Sequence, residues 1–274
     1  MAIKRILITV KTYPTISIKH GEEVVCTAGF DTEGNWIRIH PVPFRQLDYV
    51  NQFSKYHWIE VDLVKSKSDY RLESYQPVAV DQPNALKIVG QIGTEHNWND
   101  RKSIVLRNVY WDLDQVISEA KDESLMRSLV VFKPTEIIGL KIRPGISQWT
   151  EKEKGILNQL ELFESRKTRE VVKKIPYKFS YVFRDNKGSV HEMMNEDWEL
   201  GALYWRMVEK YDGDQKAACD EVYKKYWDDF VMTKDLYFFL GTTLRWHSKA
   251  LNPFIIVGIF YPKPVPTNPQ LKLF

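Results

Sequence analysis

Three stretches of this 274-residue chain place an aromatic ring beside guanidinium, imidazole or ammonium groups, the combination that stacks on bases and holds phosphates. In Trp36-Ile37-Arg38-Ile39-His40, period-two alternation puts Trp36, Arg38 and His40 on one strand face, and Lys11, Arg45 and Lys55 would extend that basic surface. In Tyr177 to Arg184, four aromatics share one face, with Lys178 and Arg184 as phosphate partners. In Gly241 to Lys249, Gly241 permits a tight turn, Arg245, His247 and Lys249 are candidate phosphate ligands, and Trp246 is a stacking surface. Each stretch has a plainer alternative. Trp36 could pack on a loop with Arg38 paired to a carboxylate such as Asp62, the aromatic stripe could be core, and the last segment could be a solvated hairpin loop.

The chain ends on a different kind of signal. Four prolines between Pro262 and Pro269 remove backbone donors and fix φ, so neither helix nor inner strand is expected there. Gln270, Leu271, Leu273 and Phe274 follow, three apolar side chains and an amide that suit a preformed cleft on a partner or on the parent domain. The pentapeptide resembles the motif by which bacterial replication and repair proteins hold the DNA sliding clamp, with Lys272 where that motif takes a small or acidic residue. The same pattern recurs at Gln159 to Phe163 with Glu161 at the variable place, inside a stretch whose Ile156, Leu160 and Phe163 also fit an ordinary helix face.

An enzymatic reading has its own candidates. His191, Glu192, Asp197 and Glu199, with Lys178 and the pair Lys234-Asp235, are the residues from which a metal-dependent nuclease or nucleotide-processing site would be built. Asp197 and Glu199 lie two apart at a helix start, a spacing that does not bring both carboxylates to one face. No phosphate-binding Gly-rich Lys loop, nucleophile elbow or zinc signature occurs, and the six histidines have no ligand spacing, so neither a metal nor another cofactor is expected.

Composition sets wide bounds. With 43% hydrophobic and 13% aromatic residues the chain can bury a large core, and its net charge of +3 permits nucleic-acid binding without requiring it. Two scattered cysteines, Cys26 and Cys219, are read as buried thiols. Without a long apolar run or a signal-like start, a cytoplasmic protein is expected.

The elements that must position these residues read as follows. Strands are predicted over Arg5–Val10, Val24–Phe30, Trp36–His40, His57–Val64, Lys102–Val109 and Glu136–Ile142, the last closing an N-terminal region. Pro41 and Pro43 are expected to end the third of these. A short helix is predicted over Asp112–Ala120. In the second half, Tyr177–Arg184 and a strand through Met193 precede a helix with Asn195 as N-cap, a second helix from Asp214 to Phe230, and strands Asp235–Gly241 and Phe254–Tyr261. The expected fold class is α+β: two β-rich halves, bent antiparallel sheets or small barrels, the second carrying two inserted helices, which the resemblance described next makes OB-like. The organisation is an N-terminal β-rich domain over 1–145, an α+β domain over 146–261 and a Pro-rich tail over 262–274.

Cys26-Thr27-Ala28-Gly29, the turn Asp31 to Asn35, and Trp36-Ile37-Arg38 together resemble the N-terminal part of the dual OB-containing domain family. The resemblance implies a pair of small barrels and a role in nucleic-acid recognition within bacterial DNA-modification or anti-phage defence clusters. DNA or RNA, the sliding clamp and operon-encoded proteins are the expected partners, and an assembly subunit is a third reading.

Overall fold

The computed structural model describes residues 2–18, 21–42, 44–47, 52–78, 86–163 and 172–265. Its first half is built from β1 (Ala2–Lys11), β2 (Thr15–Ser17), β3 (Glu22–Asp31), β4 (Trp36–Val42), β5 (His57–Lys65), β6 (Ser74–Pro77) and β7 (Leu86–Gln91). Pairing runs β1-β3-β4-β6-β5 and returns from β5 to β1, which closes a five-stranded barrel. All of these pairs are antiparallel except β4 with β6. Alternation explains its interior: Ile59, Val61 and Leu63 of β5 point inward against Ile6, Ile8, Val25, Ile37 and Ile39. The β3–β4 turn is set locally, because the Asp31 carboxylate accepts from the backbone N–H of Glu33 and Asn35 (3.0 and 2.8 Å) and Gly34 takes φ 89°.

The helix α1 (Glu95–Val105) leads into the second half, which contains β8 (Val109–Tyr110), α2 (Leu113–Lys121), β9 (Leu129–Phe132), β10 (Glu136–Pro144), α3 (Glu151–Phe163), β11 (Tyr177–Arg184) and β12 (Val190–Met194). It continues with α4 (Trp198–Lys210), α5 (Gln215–Tyr223), a π-helical stretch Lys224–Val231, β13 (Tyr237–Thr242) and β14 (Phe254–Phe260). One sheet runs β10-β11-β12 and another β14-β13-β9-β8. A parallel bridge from Asn195 to Ile256 joins the end of β12 to β14, and only residues 133–135 separate β9 from β10. Taken as one bent strand, β9 and β10 give the second half the same cycle as the first, again with its third and fifth strands parallel. The α+β class with two OB-like β-rich halves is therefore the observed one, and α4 and α5 fall between the third and fourth strands of the second half.

Several elements differ from expectation. The strand Glu136–Pro144 pairs with β11 and not with the first barrel, so the change from one barrel to the other comes between Gln91 and Val109. Lys102–Val105, predicted as strand, ends α1, because Arg101 and Val105, four apart, both turn inward; the Arg101 guanidinium lies 3.8 Å over the Tyr56 ring. Pro41 does not end β4. A register shift between the Val25–Val42 and Thr27–Ile39 pairs leaves it at a bulge, where its missing N–H removes no ladder bond. Asp197, not Asn195, caps α4, accepting from Glu199 N at 3.1 Å, while Asn195 Oδ1 accepts from Asp197 N at 3.0 Å.

The halves share a core. Leu7, Val10, Ala28 and Phe30 of the first barrel pack with Leu129, Val131, Phe239, Val257 and Phe260 of the second. Aromatic content of the second half is spent inside it: Phe179, Tyr181 and Phe183 of β11 are buried, Tyr181 stacking on Phe238 at 5.2 Å.

Candidate nucleic-acid interface

The face of β4 that alternation marks out as wet is the face on which the second barrel docks. Trp36 packs against Phe30 and Phe239, with ring centroids 4.0 and 5.8 Å away. Arg38 is 3% exposed and donates through Nη2 to Ser128 O and Oγ (3.0 and 2.9 Å), and through Nη1 to Cys26 Sγ at 3.3 Å. Burial, then the nearby Arg71 charge, lowers its pKa. Arg38 is buried and Trp36 is half-buried against the second half, which corrects the expectation of an exposed basic-aromatic strand face. Asp62 is not the partner of Arg38; neutral acceptors are.

Lys11 and Lys55, expected to extend a basic surface, are buried at the junction. Lys55 Nζ donates to both oxygens of Asp197 at 2.7 Å and lies 3.5 Å from Glu199, crossing from the first half to the second. Burial alone would lower its pKa, but Asp197 and Glu199 outweigh it and hold the ammonium form. Burial pushes the Asp197 carboxyl the other way, against the pull of Lys55. The geometry favours a charged pair, because two 2.7 Å contacts would not both be made by a neutral carboxyl. Lys11 Nζ donates to Phe53 O (3.2 Å) and sits over the rings of Phe44 at 4.0 Å and Trp198 at 4.7 Å.

Burial, with the Lys55 charge second, brings the Lys11 ammonium down to about 8, against a value of 10.5 for an ordinary lysine. The unfolded chain therefore holds the extra proton as pH rises from about 8, and stability gains through that window. Above pH 9 the Cys219 thiol, raised by burial to about 11, works in the opposite direction. Between pH 8 and 9 the Lys11 contribution is about 1 kcal/mol. The urea midpoint is expected to rise over this interval, and Lys11→Met is expected to remove the rise; an unchanged slope in the variant would assign the titration elsewhere.

The other candidates separate into two surfaces. Lys178 is exposed on β11 opposite Arg143, and Arg184 on the same strand pairs with Glu136 at 3.1 Å. Arg143 and Lys141 both grip Glu192, at 2.6 and 2.9 Å, so this outer sheet face carries cations interleaved with carboxylates. Arg45 pairs with Glu23 at 3.0 Å.

The turn after β13 is the second surface. Arg245 is exposed with its guanidinium 4.9 Å over the Trp246 ring, Trp246 itself is 48% exposed, and Lys249 is exposed three residues on. His247 faces inward: its Nδ1 lies 2.9 Å from Thr242 Oγ1, and burial, then Arg71, lowers its pKa. It anchors the turn and is not a surface ligand.

Beside that turn, a cleft of about 450 Å³ opens between the halves. Its walls come from the β1–β3 connection (Thr15, Ser17), from β3 and β4 (Cys26, Arg38, His40) and from the β5–β6 connection (Ser66, Ser68, Asp69, Arg71). The second half adds Glu196, Thr242, Thr243 and Leu244. Arg71 is 6% exposed, pairs with Asp69, and donates to Thr242 Oγ1 at 3.2 Å, tying the two halves together across the cleft. Ser66, Ser68, Asp69 and Arg71 have no place among the candidates that residue type and spacing suggest. They lie in a connecting segment without periodicity, and only the barrel's closure brings them beside β4.

The residues of the enzymatic reading are dispersed and engaged. Asp197 is held by Lys55, Glu192 by Lys141 and Arg143, Asp235 by Lys133 at 2.5 Å, and His191 Nε2 lies 2.9 Å from Asp185. Among the described residues no cluster of three or more His, Cys, Asp or Glu side chains could hold a metal ion, and no helix is long and apolar enough to cross a membrane. Gln270, Leu271, Leu273 and Phe274 lie outside the described residues. Of the internal Gln159–Phe163 copy, the backbone ends α3 and the side chains lie outside the described ones.

No curated protein matches the chain. A family model described as Domain of unknown function (DUF8758) matches residues 2–107, and one described as Domain of unknown function (DUF8757) matches residues 109–274. The two models meet where strand pairing passes from the first barrel to the second. Since the second model covers more than half of its length, the chain belongs to the family described as Domain of unknown function (DUF8757).

Proposed function

We propose that this chain is a nucleic-acid-binding module of bacterial or phage DNA metabolism or defence, acting in the cytoplasm and recruited to DNA by a sliding-clamp-binding tail. One observation carries the reading. The exposed Arg245–Trp246 pair stands on the turn whose Thr243 and Leu244 form one wall of the cleft, and the opposite walls are the second and third barrel strands and the two connections of the first half. In OB-type barrels that combination of strands and loops is where oligonucleotides and oligosaccharides bind. Trp246 offers a π-face to a base, and Arg245 and Lys249 offer charge to the phosphates that flank it.

Fluorescence anisotropy with a labelled single-stranded oligonucleotide tests this. Trp246→Ala is expected to weaken binding by roughly 5- to 150-fold, the range of about 1–3 kcal/mol for one base stacked on an aromatic ring. The Arg245→Ala, Lys249→Ala double variant is expected to reduce the slope of log affinity against log salt by about 1.4, two phosphate contacts on a single strand. Because these side chains are exposed, thermal stability is expected to be unchanged. Deleting residues 270–274 is expected to leave oligonucleotide affinity intact and to abolish clamp binding in calorimetry. An intact chain that binds no nucleic acid, or variants that bind as the wild type does, would overturn the module; clamp affinity surviving the deletion would overturn the tether.

A further inference from the structure

We infer that the cleft between the halves takes the terminal nucleotide of a strand, with its phosphate monoester against Arg38, and does not pass a continuous strand. This rests on the nucleic-acid reading above and deepens it. On an uncovered barrel, a strand lying over β3 and β4 could run the length of the sheet. Here the path stops. The cleft takes in His40 and Arg38 of β4, and beyond Arg38 the strand is covered by Ser128, which the guanidinium grips, and by Phe239, against which Trp36 packs.

The charge at the blocked end suits a dianion. Arg38 is buried and its hydrogen bonds go to neutral acceptors, so no carboxylate pairs with it directly, and its Nε has no partner among the described groups. An ionised group held this way in a protein interior is costly unless a counter-charge reaches it. Arg71 lies close enough to lower the Arg38 pKa further. The acidic groups nearby stand off from the guanidinium: Asp69 is paired with Arg71, Glu73 accepts from Ser128 N at 2.7 Å and supports the Arg38 charge without a contact, and burial pushes the Glu196 carboxyl upward. A phosphate monoester carries about −1.5 to −2 at neutral pH, against about −1 for each internal diester, so the end of a strand supplies more of the missing charge than its middle. Hydroxyls on the walls, Thr15, Ser66, Ser68 and Thr243 among them, give donors to the remaining phosphate and sugar oxygens. The cleft volume of about 450 Å³ falls within the range that holds a single small ligand.

Competition binding with the full chain distinguishes the possibilities, using one single-stranded sequence as a circle, as a linear strand with hydroxyl ends, and with a 5′- or a 3′-phosphate. One phosphorylated form is expected to bind roughly tenfold or more tightly than the circle, as charged hydrogen bonds of this kind predict. Ser68→Trp, which fills the cleft from an exposed position and leaves the buried charges in place, is expected to bring the phosphorylated strand and the circle to equal affinity, whatever it does to the circle's own binding. Cys26, whose thiol lines the cleft, supplies an independent readout: the four 5′-deoxynucleoside monophosphates are expected to slow its alkylation at least severalfold in the wild type and not in Ser68→Trp. Equal affinity for circle and phosphorylated ends would overturn the inference and leave the nucleic-acid reading standing. Protection of Cys26 by mononucleotides without any binding of strands would overturn both, leaving a site for a free nucleotide. Protection by inorganic phosphate alone, equal to that by the nucleotides, would also overturn it, since the nucleoside would then contribute nothing.

Discussion

Asp197→Ala is expected to lower the stability of the folded chain by about 3–5 kcal/mol, the range for breaking a buried ion pair by removing one partner. The substitution strands the Lys55 ammonium at a site where its side chain is 5% exposed, with only Glu199 at 3.5 Å to answer it. It also removes the cap of α4, a further loss of about 1 kcal/mol. Urea unfolding at pH 7 measures the sum. Asp197→Asn keeps an acceptor for Glu199 N and is expected to fall between wild type and Asp197→Ala. The double variant Lys55→Met, Asp197→Leu is expected to recover most of the ion-pair loss but not the cap, because replacing both charges with apolar groups of similar size leaves no buried charge of the pair unanswered. A loss below about 1 kcal/mol in Asp197→Ala would show that water already solvates the pair. The pair joins one barrel to the helix inserted in the other, so the measurement also tests whether the halves unfold together, as their shared core requires.

Gly29→Ala is expected to cost about 4 kcal/mol or more, enough to place it among the rare severe single substitutions. A Cβ at position 29 would lie 1.9 Å from Leu7 O, 2.7 Å from Leu7 C and 3.0 Å from Ile8 Cα, all backbone atoms that no rotamer change can move aside. The cause is a bulge: β1 pairs Ile8 with Gly29 and then Val10 with Ala28, so Thr9 is an extra residue that bends β1 onto β3. The closing of the first barrel depends on that bend. Gly155→Ala is the matched control, since a Cβ at that position would meet nothing within 4 Å and the backbone there is helical; it is expected to stabilise α3 by roughly 0.5–1 kcal/mol. Soluble yield and urea midpoints of the two variants should move in opposite directions. A Gly29→Ala protein as stable as wild type would mean that β1 can straighten without opening the barrel.

Much of the secondary structure was legible because it obeys short-range rules. The alternation of His57–Val64, the turn from Asp31 to Gly34, the aromatic strand Tyr177–Arg184 and the helix starts at Asp112 and Asp214 are decided by residues within a few positions of one another. Even so, the short-range rules misjudged Lys102–Val109. Its β-branched content reads as strand, yet only Val109 is strand; Lys102–Val105 ends α1, where Arg101 lies over the ring of Tyr56, a residue far away in sequence.

The chain by itself determined two β-rich halves, the helices inserted in the second, and an inventory of basic and aromatic side chains. Only the tertiary structure decided which of them meet solvent. Trp36, Arg38 and Lys11 were expected on a wet surface and are covered at the junction of the halves, Arg38 as a buried wall of the cleft, whereas Ser68, in a segment with no pattern, is exposed on that cleft. The physical reason is that alternation records which side of a strand faces its own sheet's interior. Whether the opposite side meets water or another barrel depends on complementary surfaces more than a hundred residues apart, such as Lys55 with Asp197 and Trp36 with Phe239, and no local period encodes those.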